Sequence, residues 1–373
     1  MVSSYVQLRR LFLICLSVAM SVSHAQRVSV LTEARMATGD AVAATLHEAD
    51  LGAGTVSPVA YRLGGNAAAG PLCLLPDRSF IAAASRPSAN DRISDPIYDR
   101  SYLEVFPLSP LPPIRSASLR SEAGTIWTLR GVDGIRGANF ATVFSNDSFG
   151  ARLLGQPIPL GRQSAPMRIP TAFSLSFSPE QAATLSGRVV SGAIRDERLL
   201  EIAVHRLDGD DAPLIVNAQI PLFFGISLSV SDLAFSLDGS TILVLVGGYE
   251  ETRASGDPVT WAIALDGRTL SMLGAPVRTA GGIEAPGAAI AAGVGGTFWF
   301  ATQLRGTDYG TLTGVETGAD GLTRFAEVPV TGVAHTIRLA AAPDRRGCAY
   351  SAGRRLSYWG TAERKAITFA DTI

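Results

Sequence analysis

A short apolar strand, a tight polar turn and a second apolar strand recur six times along this chain. The copies read GPLCLLPDRSFIAAAS (70–85), ASLRSEAGTIWTLRG (117–131), SLSFSPEQAATLSGR (174–188), SDLAFSLDGSTILVLVG (231–247), AAIAAGVGGTFWFATQ (288–303) and IRLAAAPDRRGCAYSAG (337–353). Their turn centres, Asp77, Glu122, Glu180, Asp238, Gly295 and Asp344, are separated by 45, 58, 58, 57 and 49 residues. Self-similarity at that period is the mark of a repeat architecture and constrains the fold more than any single motif.

Each hairpin is followed by a more polar pair of strands, such as LLEIAVHRLDGDDAPLIVNAQIPL (199–222) and GTLTGVETGADGLTRFAEVPV (310–330). Asp208-Gly209, Asp266-Gly267 and Asp320-Gly321 supply the residues that hairpin turns need. The second pair alternates polar and apolar residues, which predicts strands with one wet face, whereas the first is apolar throughout. One unit therefore reads as a four-stranded antiparallel meander that cannot bury both faces alone. Copies stacked around an axis can, which predicts an all-β β-propeller of four-stranded blades. Six complete units fill 66–373. Residues 26–65 are expected to form an atypical first blade or ring-closing strands, giving seven blades in preference to six.

The inner hairpins, LAFSLDGSTILVLVGG (233–248) above all, resemble the strand–(Ser-Pro-Asp-Gly)–strand repeat of secreted bacterial β-propellers, the YVTN-type, WD-repeat-like and lactonase-like groups. The core is partly kept, as Ser178-Pro179-Glu180, Leu237-Asp238-Gly239 and Pro343-Asp344-Arg345. The resemblance spans nearly the whole chain past residue 25 and implies architecture. Propellers host unrelated functions, so it implies no activity.

Composition agrees with many short strands. Charged residues are 17%, and there are 38 Gly and 21 Pro in 373 residues. A formal charge of −1 gives no pull toward nucleic acid. The first 25 residues read as a secretory leader: Arg9 and Arg10, an apolar run from Leu11 to Met20, and Ser23-His24-Ala25 as a small-x-small cleavage site. The expected product is one exported domain, 26–373, periplasmic or extracellular, with no membrane span and monomeric. Export permits a bond between Cys73 and Cys348, since ring closure would make the first and last repeats neighbours, but both sit in apolar segments where a free thiol is at home.

Meander geometry sends the inner turns and the Asp-Gly turns to one face of the stack and the loops from second to third strand to the other. Those loops are SRPSANDRISDPIYDR (85–100), RGVDGIRGA (130–138), SGAIRDER (191–198), GGYEETRASGDP (247–258) and QLRGTDYG (303–310), each with an Arg and an acid. Polar loops gathered on a rigid face are where ligands bind. The candidate binding residues are Arg92, Asp95, Arg136, Arg195, Tyr249, Arg253, Arg305, Asp308 and Tyr309.

No catalytic, metal or cofactor site is expected. Asp91, Asp95 and Asp99 do not have calcium-loop spacing. The histidines past the leader, His47, His205 and His335, fall in separate units; His205 is expected to be half exposed and His335 could reach the axial mouth. No nucleophile elbow, Walker loop or His-Glu-x-x-His motif occurs. Trp127, Trp261, Trp299 and Trp359 are expected in the core. The reading favours a non-enzymatic binding or scaffold propeller that engages a protein, peptide or glycan. A lactonase-like hydrolase with a site at the axial mouth and a structural envelope component are the alternatives.

Overall fold

The computed structural model describes residues 27–35, 41–62, 67–74, 80–87, 102–107, 125–135, 138–147, 150–158, 172–173, 181–185, 188–206, 214–250, 256–283, 289–293, 295–331, 337–341, 346–352, 355–360 and 367–368. Among them every regular element is a strand, and the strands form seven antiparallel sheets in chain order. The first sheet is β1 (Arg27–Arg35), β2 (Ala41–Asp50) and β3 (Thr55–Arg62); the second is β4 (Ala67–Leu74), β5 (Phe80–Pro87) and β6 (Tyr102–Pro107). The third holds β7 (Thr125–Ile135), β8 (Ala138–Asp147), β9 (Gly150–Ile158) and β10 (Ala172–Phe173). The fourth holds β11 (Gln181–Leu185), β12 (Arg188–Arg195), β13 (Leu199–Arg206) and β14 (Leu214–Pro221). The fifth holds β15 (Ile226–Phe235), β16 (Thr241–Tyr249), β17 (Val259–Asp266) and β18 (Val277–Ala280). The sixth holds β19 (Ile290–Ala292), β20 (Thr297–Gln303), β21 (Tyr309–Gly318) and β22 (Gly321–Thr331). The seventh holds β23 (Arg338–Ala341), β24 (Cys348–Ala352), β25 (Arg355–Trp359) and β26 (Ile367–Thr368).

First strands of successive sheets are neighbours from β4 to β7, β11, β15, β19 and β23, so they line the inside of the stack. Alternation explains the core. On β16, Ile242, Val244 and Val246 pack toward the fourth sheet, while Leu243 and Leu245 pack toward the sixth. Small Ala262 and Ala264 on β17 make room for Phe298 and Phe300 of β20, which are fully buried. Trp299, between those phenylalanines in sequence, turns the other way and packs edge-on to Trp359 of the seventh sheet at 4.9 Å. A strand sandwiched between two sheets must be apolar on both faces, which is why these segments show no alternation. Each large side chain so buried contributes about 1.5–3 kcal/mol.

One carboxylate ties two sheets together. Asp232 on β15 is buried and accepts hydrogen bonds from the N–H groups of Leu233 (2.8 Å), Ala289 (2.7 Å) and Ile290 (2.9 Å), so the first strand of the sixth sheet begins pinned to the fifth.

Several expectations shift. In the fourth sheet Leu185 pairs with Arg188, so the hairpin centre lies between them rather than at Glu180. Thr125–Ile135 is one strand, so 130–135 is not loop; Glu122 lies outside the described residues. His205 is buried, not half exposed: it sits on β13, an inner strand between β12 and β14, and Ala203 on the same face is buried with it. Residues 27–62 form a sheet of their own rather than extra strands of the seventh. Ala49 and Leu51 share a buried cluster with Ala349, Leu356 and Ile367 of the seventh sheet. Cys348 is a free, fully buried thiol whose titration burial pushes far upward; the Cys73 side chain lies outside the described ones.

Candidate binding face

The two ends of the stack are built differently, and backbone hydrogen bonds identify them. At one end, Gly267 N–H donates to Ser240 O at 2.7 Å, joining the Asp-Gly turn after β17 to the turn between β15 and β16. At the other end, Leu222 N–H donates to Arg198 O at 2.8 Å, and Gly281 N–H to Pro258 O at 2.9 Å, joining inter-sheet connections to second-to-third-strand loops. The division into a turn face and a loop face holds.

In the fifth sheet the turn face consumes its own polar groups. Asp238 Oδ1 accepts from Ser236 Oγ (2.6 Å), Ser240 Oγ (2.8 Å) and Ser240 N–H (3.1 Å). Ser236 Oγ in turn accepts from Thr241 N–H at 3.0 Å. These bonds, the Ser236 hydroxyl foremost, hold the Asp238 carboxyl below its usual titration range. Asp266 Oδ1 accepts from the N–H groups of Thr269 (2.8 Å) and Arg268 (2.9 Å), with the same result, led by Thr269.

The loop face is shaped by the fourth and fifth sheets. The link between β12 and β13 is only 196–198, because Arg195 already pairs with Leu199. Asp196 (φ 45°) and Glu197 (φ 64°) both occupy the left-handed region there, which is unusual for residues with a Cβ. Beside them the 222–225 connection carries Phe223, 88% exposed. Phe224 goes inward and packs on Trp261 at 4.9 Å, and Gly225 (φ 69°) sits so close that a Cβ would lie 2.6 Å from the Trp261 ring. Ser227 (φ 52°) opens β15 in the left-handed region too. An inward Phe clamped beneath leaves its predecessor no course but outward.

Of the residues expected from sequence, Arg195 ends β12 and pairs with Glu201 at 3.1 Å, which also accepts from Gln219 at 2.9 Å. Tyr249 ends β16 opposite Ile226 and is half buried. Arg305 and Asp308 are exposed on the 304–308 turn, and Tyr309, at the start of β21, is 59% exposed. That turn is held by Thr307, whose Oγ1 donates to Leu304 O (3.0 Å) and accepts from Tyr309 N–H (3.2 Å). All five lie on the loop face. Arg92, Asp95, Arg136 and Arg253 lie outside the described residues, as does His335. Phe223, Asp196, Glu197 and Ser227 were missed. The Phe-Phe-Gly triplet after an outer strand was a usable signal for the first; nothing local announces the left-handed acids. Among the described residues no three His, Cys, Asp or Glu converge as metal ligands would. Exposed aromatics beside charged side chains can stack on and hydrogen-bond to a partner surface.

No family model and no curated protein matches this sequence. Among solved structures the chain is similar to a protein from Lactobacillus plantarum, at 10% identity over 92% of this chain and 97% of that one, with a TM-score of 0.51. It is also similar to an uncharacterised protein from Listeria monocytogenes (12% identity, 88% and 85% covered, TM-score 0.46) and to a putative 6-phosphogluconolactonase from Bacteroides fragilis (13%, 82% and 96%, TM-score 0.43). At 10% identity the likeness to the Lactobacillus plantarum protein is one of fold alone, and it agrees with a propeller-like stack of antiparallel sheets.

Proposed function

We propose that this chain is an exported binding or scaffold module that presents its loop face to a protein, peptide or glycan. In this reading it is a seven-bladed propeller, closed where Ala49 and Leu51 pack with Ala349, Leu356 and Ile367. The leader-like residues 1–25 support export. The observation that carries the binding reading is the backbone strain and exposed aromatic surface at one end: Asp196, Glu197 and Ser227 in the left-handed region around Phe223, with Arg305 and Tyr309 exposed at the same end of the sixth sheet. Strain of about 1–3 kcal/mol per residue persists only where the surroundings impose it, and it collects at ligand sites.

Capture from an envelope extract on immobilised protein tests this. Phe223→Ala, Tyr309→Ala and Arg305→Ala together are expected to abolish capture while leaving the melting temperature within a degree or two, since exposed side chains contribute about 0.5 kcal/mol or less to stability. Undiminished capture by the triple variant would remove the loop face from consideration.

A further inference from the structure

The outer edge of the fourth sheet is the least protected edge among the described four-stranded sheets. β14 pairs with β13 alone, and its eight residues, Leu-Ile-Val-Asn-Ala-Gln-Ile-Pro, carry no charge. Leu214 and Ile215 are 48% and 51% exposed. Other outer strands are guarded. β18 has four residues and its Arg278 is paired with Glu250 at 2.6 Å; β22 carries Arg324 paired with Glu327; β26 has two residues. Short length and edge charges are two ways sheets avoid pairing with another chain, and β14 has neither; its Pro221 and the register shift opposite its start sit at its two ends and leave 216–220 regular.

Its sequence also says what fits. Pro221 is paired with Leu199, and a proline is tolerated in a sheet where its missing N–H would face away from the neighbour. Alternation then turns the N–H and C=O of Gln219 and Asn217 outward as well. About Ala218 the strand is a chemical palindrome: amides at Asn217 and Gln219, aliphatics at Val216 and Ile220, apolar Ile215 and Pro221 beyond. Val216, Ala218 and Ile220 pack inward against the core cluster of the fourth and fifth sheets.

We infer that β14 pairs antiparallel with β14 of a second copy of this chain, about a two-fold axis at Ala218. In that register Asn217 and Gln219 of opposite copies exchange backbone hydrogen bonds and stand side by side on one face. On the other face Val216 meets Ile220 and Ala218 meets Ala218, extending the apolar row without a like-charge contact, and same-face parity is kept across the axis. The product is a closed pair, because a two-fold contact uses each edge once. It replaces the monomer expected from sequence, and it touches the loop face only through Gln219, whose amide donates to the Glu201 carboxylate that pairs with Arg195.

Sedimentation velocity of the full chain over a concentration series is expected to show a reversible monomer–dimer equilibrium. Amide hydrogen exchange at Asn217 and Gln219 should slow as concentration rises. The double variant Asn217→Lys, Gln219→Lys should be monomeric, as should Asn217→Glu, Gln219→Glu, and an equimolar mixture of the two should dimerise again. The mixture separates lost pairing from lost folding. A wild-type chain that stays monomeric at the highest concentration reached, a lysine variant that still dimerises, or a mixture that stays monomeric would each overturn the pairing.

Discussion

At the turn face of the fifth sheet a carboxylate is used up; at the loop face of the fourth, two carboxylates stand in strained backbone and point to water. Asp238 has its oxygen shared among Ser236 and Ser240, and the left-handed residue beside it is Gly239, which pays nothing for φ 68°. Asp196 and Glu197 hold comparable backbone angles with a Cβ attached. Both ends close antiparallel strands, so connectivity does not account for the difference. What differs is whether the local sequence was free to satisfy itself. The fifth sheet's turns close on their own polar groups, and the loop at 196–198 keeps groups in arrangements that local energetics alone would not choose. Leu270 (φ 58°) is the turn face's exception, and it is offset by nearly complete burial in the core.

The largest expected effect comes from glycines that look equivalent in sequence. A Cβ at Gly267 would lie 2.3 Å from the carbonyl oxygen of Gly239, a backbone wall that cannot swing aside, whereas one at Gly306 (φ 72°) meets nothing within 4 Å. Gly267→Ala should therefore destabilise by about 2–3 kcal/mol through overpacking, and Gly306→Ala by about 1 kcal/mol through backbone strain alone. Chemical unfolding at neutral pH measures both. Equal costs would mean that the turn face is no more tightly closed than the loop face.

Next in size is relief of strain. Glu197→Gly should stabilise the fold by up to about 1 kcal/mol, since glycine occupies φ 64° without the Cβ penalty, less what the looser unfolded chain gives back. The same variant should capture partner more weakly than wild type in the extract assay. A variant that is both more stable and equally competent would show that the strain serves nothing at this face.

The repeat was legible because stacking imposes it: every blade needs an apolar hairpin, and the fifth sheet falls where SDLAFSLDGSTILVLVG places it. Phase was less legible. Around 117–188 the apolar runs continue through strand ends, so the pattern alone cannot say whether Gln181–Leu185 closes one hairpin or opens the next; only the pairing of Leu185 with Arg188 decides it. Loop positions followed from up-and-down connectivity, and five candidates landed on the expected face. Phe223 escaped notice because an apolar pair after an apolar strand reads as more core, and its exposure depends on where Phe224 and Trp261 sit. Burial of His205 escaped for the converse reason: alternation on β13 predicts a wet face, yet Ala203 and His205 on that face are both buried.

The smallest effect concerns acid. The carboxyls of Asp238 and Asp266 titrate lower folded than unfolded, chiefly because the Ser236 hydroxyl and the Thr269 amide donate to their charged forms. A depressed folded value stabilises the protein above the unfolded carboxyl's titration, near pH 3.9, and that contribution disappears as pH falls through the folded value. The turn face should accordingly loosen as pH drops from about 5 toward 2, while neutral and mildly alkaline pH leave it unchanged. Asp238→Asn keeps the side chain's shape but has no charge to lose. Its melting temperature should lie slightly below wild type at pH 7 and converge on it in acid, because wild type itself is then protonated. A constant offset across the whole range would assign the turn's stability to shape and hydroxyl bonding rather than charge, and the two faces would then differ in strain alone.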